Sequence, residues 1–256
     1  MKIPGTIKPN AYFWPSIQRL NLIYHVCPLR KNEVWRRNVR QLRQRLRIFN
    51  GRKIVAVVLG DDMEPCSSVR DEFGHDGHDI ELLQLPNDPE LRETATFLQL
   101  LEEVVSLDEA EATFYAHTKG NSTRDNALGA EYWRNAMYHH LLDHVNVCRD
   151  LLLRHPCVGT HKIVWPSTMR SPFPNRLSVG NWMFAGTFFW FRHDAVFGHP
   201  NWHEVPHDRY GAEAWLSTLF EPDEAATVFQ PWPASEYPMP SPYNPGLYRE
   251  PRRDPA

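Results

Sequence analysis

A chain of 256 residues, 42% hydrophobic and 23% charged, can bury a full core as one large domain and is not composed like a disordered protein. Its formal net charge of -3 and pI near 6.5 give no general electrostatic reason to bind nucleic acid, which demands a basic face. Cys27, Cys66, Cys148 and Cys157 lie far apart, without the paired spacing of a zinc site or the density of a disulfide scaffold, and read as free thiols of a reducing compartment. The opening segment carries Pro4, Pro9 and Pro15 and no continuous apolar leader, and no stretch approaches the roughly 20 apolar residues of a membrane span, so a cytoplasmic location is expected.

In chain order, residues 20–29 (LNLIYHVCPL) form an apolar run of strand length. Residues 32–49 follow as a helix: Trp35, Val39, Leu42, Leu46 and Phe49 recur at helical spacing, with Asn32 as the expected N-cap. Arg36, Arg37, Arg40, Arg43 and Arg47 fall mostly elsewhere, so the stripe is expected to face a sheet while the arginine side could touch an anionic membrane peripherally. Asn50-Gly51 ends this helix, and KIVAVVLG is a second strand, stopped by Gly60-Asp61-Asp62. His75–Asp79 (HDGHD) holds ligand-type residues but reads as a Gly-containing turn before a third strand, DIELLQLPN. A helix over residues 89–106 has Pro89 near its start, ATFYAH is a fourth strand, and a long helix of about residues 127–154 carries Trp133, Met137, Leu141 and Val145 on one side. Beyond residue 155, aromatics, Gly and Pro replace helical periodicity, which predicts antiparallel strands or a hairpin, then a short helix in EAWLSTLF. From Pro231 onward eight of 26 residues are Pro, the composition of an extended arm or a disordered tail.

Strands alternating with helices, the strands continuously apolar, predict an α/β fold whose mostly parallel sheet is covered on both faces, with ligands at the strand C-terminal ends. Asp61, Asp62 and the motif His117-Thr118-Lys119-Gly120 all fall on that edge. There Lys119 is a point charge for phosphate oxygens, the Thr118 hydroxyl can donate beside it, and Gly120 permits backbone geometry or close approach that a Cβ would block. A rival signal is HHLLDH: His140 and His144 at i, i+4 have the spacing of a zinc-binding pair, which supports a zinc-dependent hydrolase as an alternative, although no third ligand is evident. In FAGTFFWFRHDAVF the aromatics fit either a buried strand or a wall of an acceptor pocket.

FYAHTKGNS, EYWRNAMYHHLL, GTFFWFRHDAV and RYGAEAWL together resemble a group of bacterial glycosyltransferase-like proteins, over about residues 110–220. In that group H-T-K-G or H-S-K-G ends a strand, and W-R-x-x-M, a G-N-F-W-W-A-like segment and R-x-x-x-E-x-W follow in order. His117, Thr118, Lys119 and Gly120 match the first motif; Trp133, Arg134 and Met137 the second; Gly186, Thr187, Phe188, Phe189 and Trp190 the third, with Thr187 in place of the usual Asn; Arg209, Glu213 and Trp215 the last. The resemblance implies a GT-A-like fold within residues 1–230: a Rossmann-type, nucleotide-binding half over 20–155, an antiparallel acceptor-side half over 156–230, then a Pro-rich tail over 231–256. It implies a nucleotide-sugar donor and a saccharide or glycan acceptor, in surface polysaccharide assembly. Asp61, Asp62, His117, Thr118, Lys119, Gly120, Arg134 and Arg209 would bind the donor, Thr187, Phe188, Phe189, Trp190 and Trp215 the acceptor, and Glu213 and Lys119 would be catalytic. No strict D-x-D motif occurs, so Mn or Mg is not firmly implied, and fixed cationic side chains can serve the leaving diphosphate instead. A non-catalytic sugar- or nucleotide-binding module remains the other alternative.

Overall fold

The computed structural model describes residues 16–74, 79–120, 127–165, 180–232 and 240–248. The first half runs β1 (Arg19–Val26), α1 (Val34–Arg43), β2 (Lys53–Leu59), α2 (Cys66–Phe73), β3 (Ile80–Pro86), α3 (Thr94–Glu102) and β4 (Glu111–His117). Next come α4 (Ala127–Tyr138) and α5 (Val145–Leu152), joined by a π-helical turn over His139–Asp143. The rest comprises β5 (Cys157–Thr160), β6 (Lys162–Val164), β7 (Trp182–Phe184), β8 (Phe189–Arg192), α6 (His193–Phe197), α7 (Gly211–Ala214), α8 (Leu216–Leu219) and β9 (Ala225–Phe229). Seven strands form one sheet in the order β3-β2-β1-β4-β8-β5-β9, and β6 pairs with β7 apart from it. The pairs β3-β2, β2-β1 and β1-β4 are parallel, while β8 runs antiparallel to both β4 and β5. The expected α/β architecture, a mostly parallel sheet flanked by helices with an antiparallel C-terminal portion, is the one observed.

Alternation along the strands sorts their side chains into two cores. Leu22, Tyr24, Val55, Val57, Phe114 and Trp190 face the core covered by Trp35, Val39 and Leu42 of α1 and by Trp133 and Met137 of α4. Ile23, Ile54, Ala56, Tyr115, Phe189 and Phe191 face the other, covered by Phe97, Leu100 and Leu101 of α3 and by Trp215. Two covered faces are why these strands read as unbroken apolar runs. The stripe of the arginine-rich helix is fully used in the first core, and Arg36, Arg40 and Arg45 pair with Glu72, Glu72 and Asp143 of the fold itself. No helix among the described residues is long and apolar enough to cross a membrane.

Several boundaries differ from expectation for local reasons. Helix α2 leaves little trace in the sequence because it buries only Val69 and Phe73, yet a connection between parallel strands requires some such crossover. Helix α3 begins at Thr94, not near Pro89: the Asp88 carboxylate accepts the Glu90 and Leu91 N–H groups at 2.9 and 3.0 Å, and Arg92 has a φ of 56°, so a turn precedes the helix. The single long helix is interrupted because the Trp190 indole N–H donates to the Leu141 carbonyl at 2.9 Å, inside the π-helical turn. Of the Pro-rich tail, residues 240–248 do not extend away: Tyr243, Leu247 and Tyr248 pack against the first core, beside α4. The turn residues 75–78 lie outside the described residues, as do 1–15, 233–239 and 249–256.

Trp190 anchors the centre of the sheet, with its ring 5.2 Å from Phe114 and 5.8 Å from Phe49. Trp190→Ala should lose about 3–5 kcal/mol of unfolding free energy in a urea titration, as truncation of a buried aromatic does. A loss under about 1 kcal/mol would contradict this packing.

Candidate functional site

The order of the sheet puts a topological switch between β1 and β4, since the chain leaves β1 toward β2 and returns on the other side. Open α/β sheets hold their ligands in that crevice. Here the last rung of the β1–β4 ladder pairs His25 with His117. Beyond it the Thr118 N–H donates to the His25 carbonyl at 3.0 Å, and the Thr118 hydroxyl accepts the Cys27 N–H at 3.0 Å. A hydroxyl that accepts in this way keeps its own proton for a ligand. Asn38 of α1 holds the next residue: its Oδ1 accepts the Lys119 N–H at 3.1 Å and its Nδ2 donates to the Lys119 carbonyl at 3.2 Å. Gly120 then takes a φ of 90°, so of the two uses open to a glycine here the special backbone geometry is the one observed.

Above this edge lies a cavity of about 530 Å³, within the usual range for small-molecule sites. Lys119, Arg92 and Arg209 line it with Glu93 and Glu213, three cations to two carboxylates, so one positive charge is in excess. Burial depresses His25 to about 4, although Glu93 opposes the shift. His117 is likewise lowered by burial against the pull of Glu93, and both imidazoles are therefore neutral near pH 7. His117 donates from Nε2 to the Gly186 carbonyl at 3.2 Å, with Glu93 Oε1 at 3.9 Å from the same nitrogen. Burial alone would raise the Glu93 carboxyl, but the fields of His117, its own backbone N–H, His25 and Lys119 outweigh it and hold the group below the usual carboxylate range. Lys119 is itself lowered by burial and supported by Glu213 and Glu93, and its Nζ stands 4.1 Å from the Trp133 ring centroid.

The far wall is the turn between β7 and β8. Thr187 N–H closes it onto the Phe184 carbonyl at 3.3 Å, and Gly186 occupies the position where a type II turn needs a positive φ, here 96°. A Cβ on Gly186 would lie 2.9 Å from both Met137 Sδ and the Trp133 ring. Glu213 Oε1 accepts the Gly186 N–H at 2.7 Å, so the same residue is gripped by His117 through its carbonyl and by Glu213 through its amide. Glu213 thus stands at the start of α7, as expected, with one oxygen committed to the turn.

Of the residues singled out in the sequence, His117, Thr118, Lys119, Gly120, Thr187, Arg209 and Glu213 line this one cavity. Asp61 and Asp62 do not: they are exposed in the turn after β2, where the Asp62 carbonyl accepts the Arg30 N–H. Arg134 is buried behind the site and donates to Gln41 Oε1 at 2.8 Å and to the Lys119 carbonyl at 3.4 Å, so it steadies the loop instead of lining the cavity. Phe188, Phe189, Trp190 and Trp215 are fully buried and do not line the cavity; Phe189 and Trp190 belong to β8, in the middle of a sheet covered on both faces. Phe188 serves the site from behind, its ring edge-on to His117 at 5.8 Å.

His140 and His144 do lie on one side, ring centroids 6.2 Å apart and stacked, but each has a closer aromatic partner. The π-helical turn brings His139 and His144 together, Nε2 to Nε2 at 3.2 Å, while His140 stacks on Phe229 at 4.2 Å. Among the described residues no three His, Cys, Asp or Glu side chains converge as an all-protein metal centre would require. His25, Arg92, Glu93, Tyr210 and Tyr243 are site residues that sequence reasoning missed, and Trp133, matched there only as a motif residue, also lines the cavity.

Thr187 has a φ of 63°, in a region that costs a β-branched residue about 1–2 kcal/mol and that Asn tolerates better. Thr187→Asn should therefore raise unfolding free energy by roughly 1 kcal/mol in chemical denaturation. An unchanged or lowered stability would mean that the turn does not strain this residue.

No protein-family model matches the chain, and no curated protein matches it either. Among solved structures it is similar to a protein of Desulfovibrio desulfuricans G20 assigned as a nucleotide-diphospho-sugar transferase, with 11% identity and a TM-score of 0.41 over 82% of this chain and 80% of that one. It is also similar to a 4-diphosphocytidyl-2C-methyl-D-erythritol synthase, with 9% identity and a TM-score of 0.38 over 83% of this chain and 89% of that one. Likenesses this distant leave the function to be argued from the site itself.

Proposed function

We propose that this chain is a nucleotide-sugar-dependent glycosyltransferase that passes a sugar to a saccharide acceptor, with surface polysaccharide assembly as its setting and the cytoplasm as its location. The observation that carries the reading is the grouping of Lys119, Arg92 and Arg209 with Glu93 and Glu213 in one cavity at the switch point between β1 and β4. The motif resemblance and the coarse architecture agree with it.

Glycosyl transfer needs positive charge on the departing diphosphate and a carboxylate for the attacking hydroxyl. In this reading Lys119 and the arginines Arg92 and Arg209 take the diphosphate oxygens, aided by the Thr118 hydroxyl. The acceptor hydroxyl oxygen bonds to the anomeric carbon, the bond from that carbon to the diphosphate oxygen breaks, and the hydroxyl proton passes to Glu213. The diphosphate leaves with the electron pair. Glu213 is placed for this role because it lines the cavity, braced there by the Gly186 N–H on its Oε1. Neutral His25 and His117 leave the electrostatic work to the lysine and arginines.

Titration calorimetry with nucleoside diphosphates tests the phosphate role. The wild-type chain should bind one of them, and Lys119→Ala should weaken that binding at least about tenfold, the worth of one charge-assisted contact. Equal affinities would remove Lys119 from the site.

Glu213→Gln keeps an oxygen to accept the Gly186 N–H and removes only basicity. It should fold and bind the diphosphate normally, yet lose at least about a hundredfold in turnover. Near-wild-type turnover would leave Glu213 with its turn-bracing role alone, and a raised KM at constant kcat would make it a substrate-binding group.

A further inference from the structure

We infer that the corner of the cavity formed by Trp133 and Tyr243 is a subsite for a sugar ring, directly beside the Lys119 phosphate position; this rests on the transferase reading. The two rings meet edge to face, with centroids 5.2 Å apart and planes at 89°. Such a corner presents an aromatic face and an aromatic edge to the same volume, the surface on which the apolar C–H face of a pyranose packs.

Tyr243 reaches this place because residues 240–248 are built into the fold. Ser241, Pro242 and Tyr243 line the cavity, and Pro242 is buried. The Tyr248 hydroxyl donates to the Pro242 carbonyl at 2.6 Å, and the Asn244 N–H closes a turn onto the Ser241 carbonyl at 2.9 Å. At the start of α4 the Tyr243 carbonyl lies where a Cβ on Gly129 would stand, so the segment seats against the helix only because that residue is glycine.

Polar groups at this corner and behind it lack partners among the described residues. Trp133 lines the cavity and is 4% exposed, and its indole N–H has no acceptor among the described residues. His161 packs next to it, ring centroids 5.9 Å apart, and Trp232 lies 5.3 Å beyond His161; His161 Nε2 and the Trp232 indole N–H are likewise without partners among the described residues. Buried donors are seldom left unpaired, and the Trp133 indole N–H at the cavity wall suits a hydroxyl, which can accept it. Lys119 Nζ stands 4.1 Å over the Trp133 ring, so a phosphate on Lys119 has the aromatic corner as its immediate neighbour. A ligand whose sugar ring is bonded to a phosphate matches that adjacency.

Saturation-transfer NMR with methyl glycosides of the common hexoses and pentoses, followed by titration, tests the subsite without a nucleotide. At least one glycoside should bind the wild-type chain, and Tyr243→Ala and Trp133→Phe should each weaken it by about three- to tenfold, the scale of a lost aromatic or hydrogen-bond contact. Melting temperature and nucleoside diphosphate affinity report that the variants are folded. A larger loss for the nucleotide-sugar than for the free diphosphate identifies the ring as the donor sugar; a raised KM for the acceptor alone identifies it as the acceptor's. Absence of glycoside binding, or equal affinity in all three chains, overturns the subsite. Diphosphate binding without sugar binding does so while leaving the transferase reading intact, and sugar binding without diphosphate binding does the reverse.

Discussion

The last rung of the β1–β4 ladder, where His25 and His117 stand side by side, is the constraint on which the site depends. Two imidazoles buried at adjacent strand ends cannot both be charged, and burial holds them neutral. A neutral His117 can still donate one hydrogen bond, and it donates to the Gly186 carbonyl, which ties the parallel half of the sheet to the turn before β8. His25 is held in turn by Thr96 of α3, Nδ1 to Oγ1 at 2.8 Å. The cavity floor is therefore a set of neutral, mutually bonded groups, and its charge resides in side chains above them.

The Gly186 turn shows how the two halves of the chain are locked. His117 comes from β4, Glu213 from α7, and Trp133 and Met137 of α4 close over the α-carbon of Gly186. Asn38 and Arg134, from two further helices, hold the Lys119 backbone. The catalytic assignment of Glu213 and the phosphate assignment of Lys119 both inherit their geometry from these backbone contacts. Surface ion pairs such as Arg37 with Glu131 contribute little by comparison.

Much of the fold is legible in the sequence because a sheet covered on both faces demands continuous apolar strands, and the three buried ones, β1, β2 and β4, stand out between Leu20 and His117. The motif from His117 to Gly120 is legible for the complementary reason: a polar run directly after a buried strand needs a ligand or solvent to face. Glu93 was hidden because the segment from Pro89 looks helical, whereas Asp88 builds a turn that delivers Glu93 to the cavity. Phe188, Phe189 and Trp190 were ambiguous because an aromatic run has the same composition in a core strand as on a sugar platform. Only the insertion of β8 between β4 and β5 decides between them. The π-helical turn and the return of Tyr243 to α4 depend on contacts with distant residues, Trp190 and Gly129, that no local pattern encodes.

The central claim is that the edge between β1 and β4 holds a diphosphate on Lys119. A crystal structure of the chain grown with a nucleoside diphosphate tests it most directly. The account predicts phosphate oxygens within hydrogen-bond reach of Lys119 Nζ and the Thr118 hydroxyl, with the nucleoside in the same cavity. Phosphates bound at another face of the molecule, or in this cavity but away from Lys119, would contradict it.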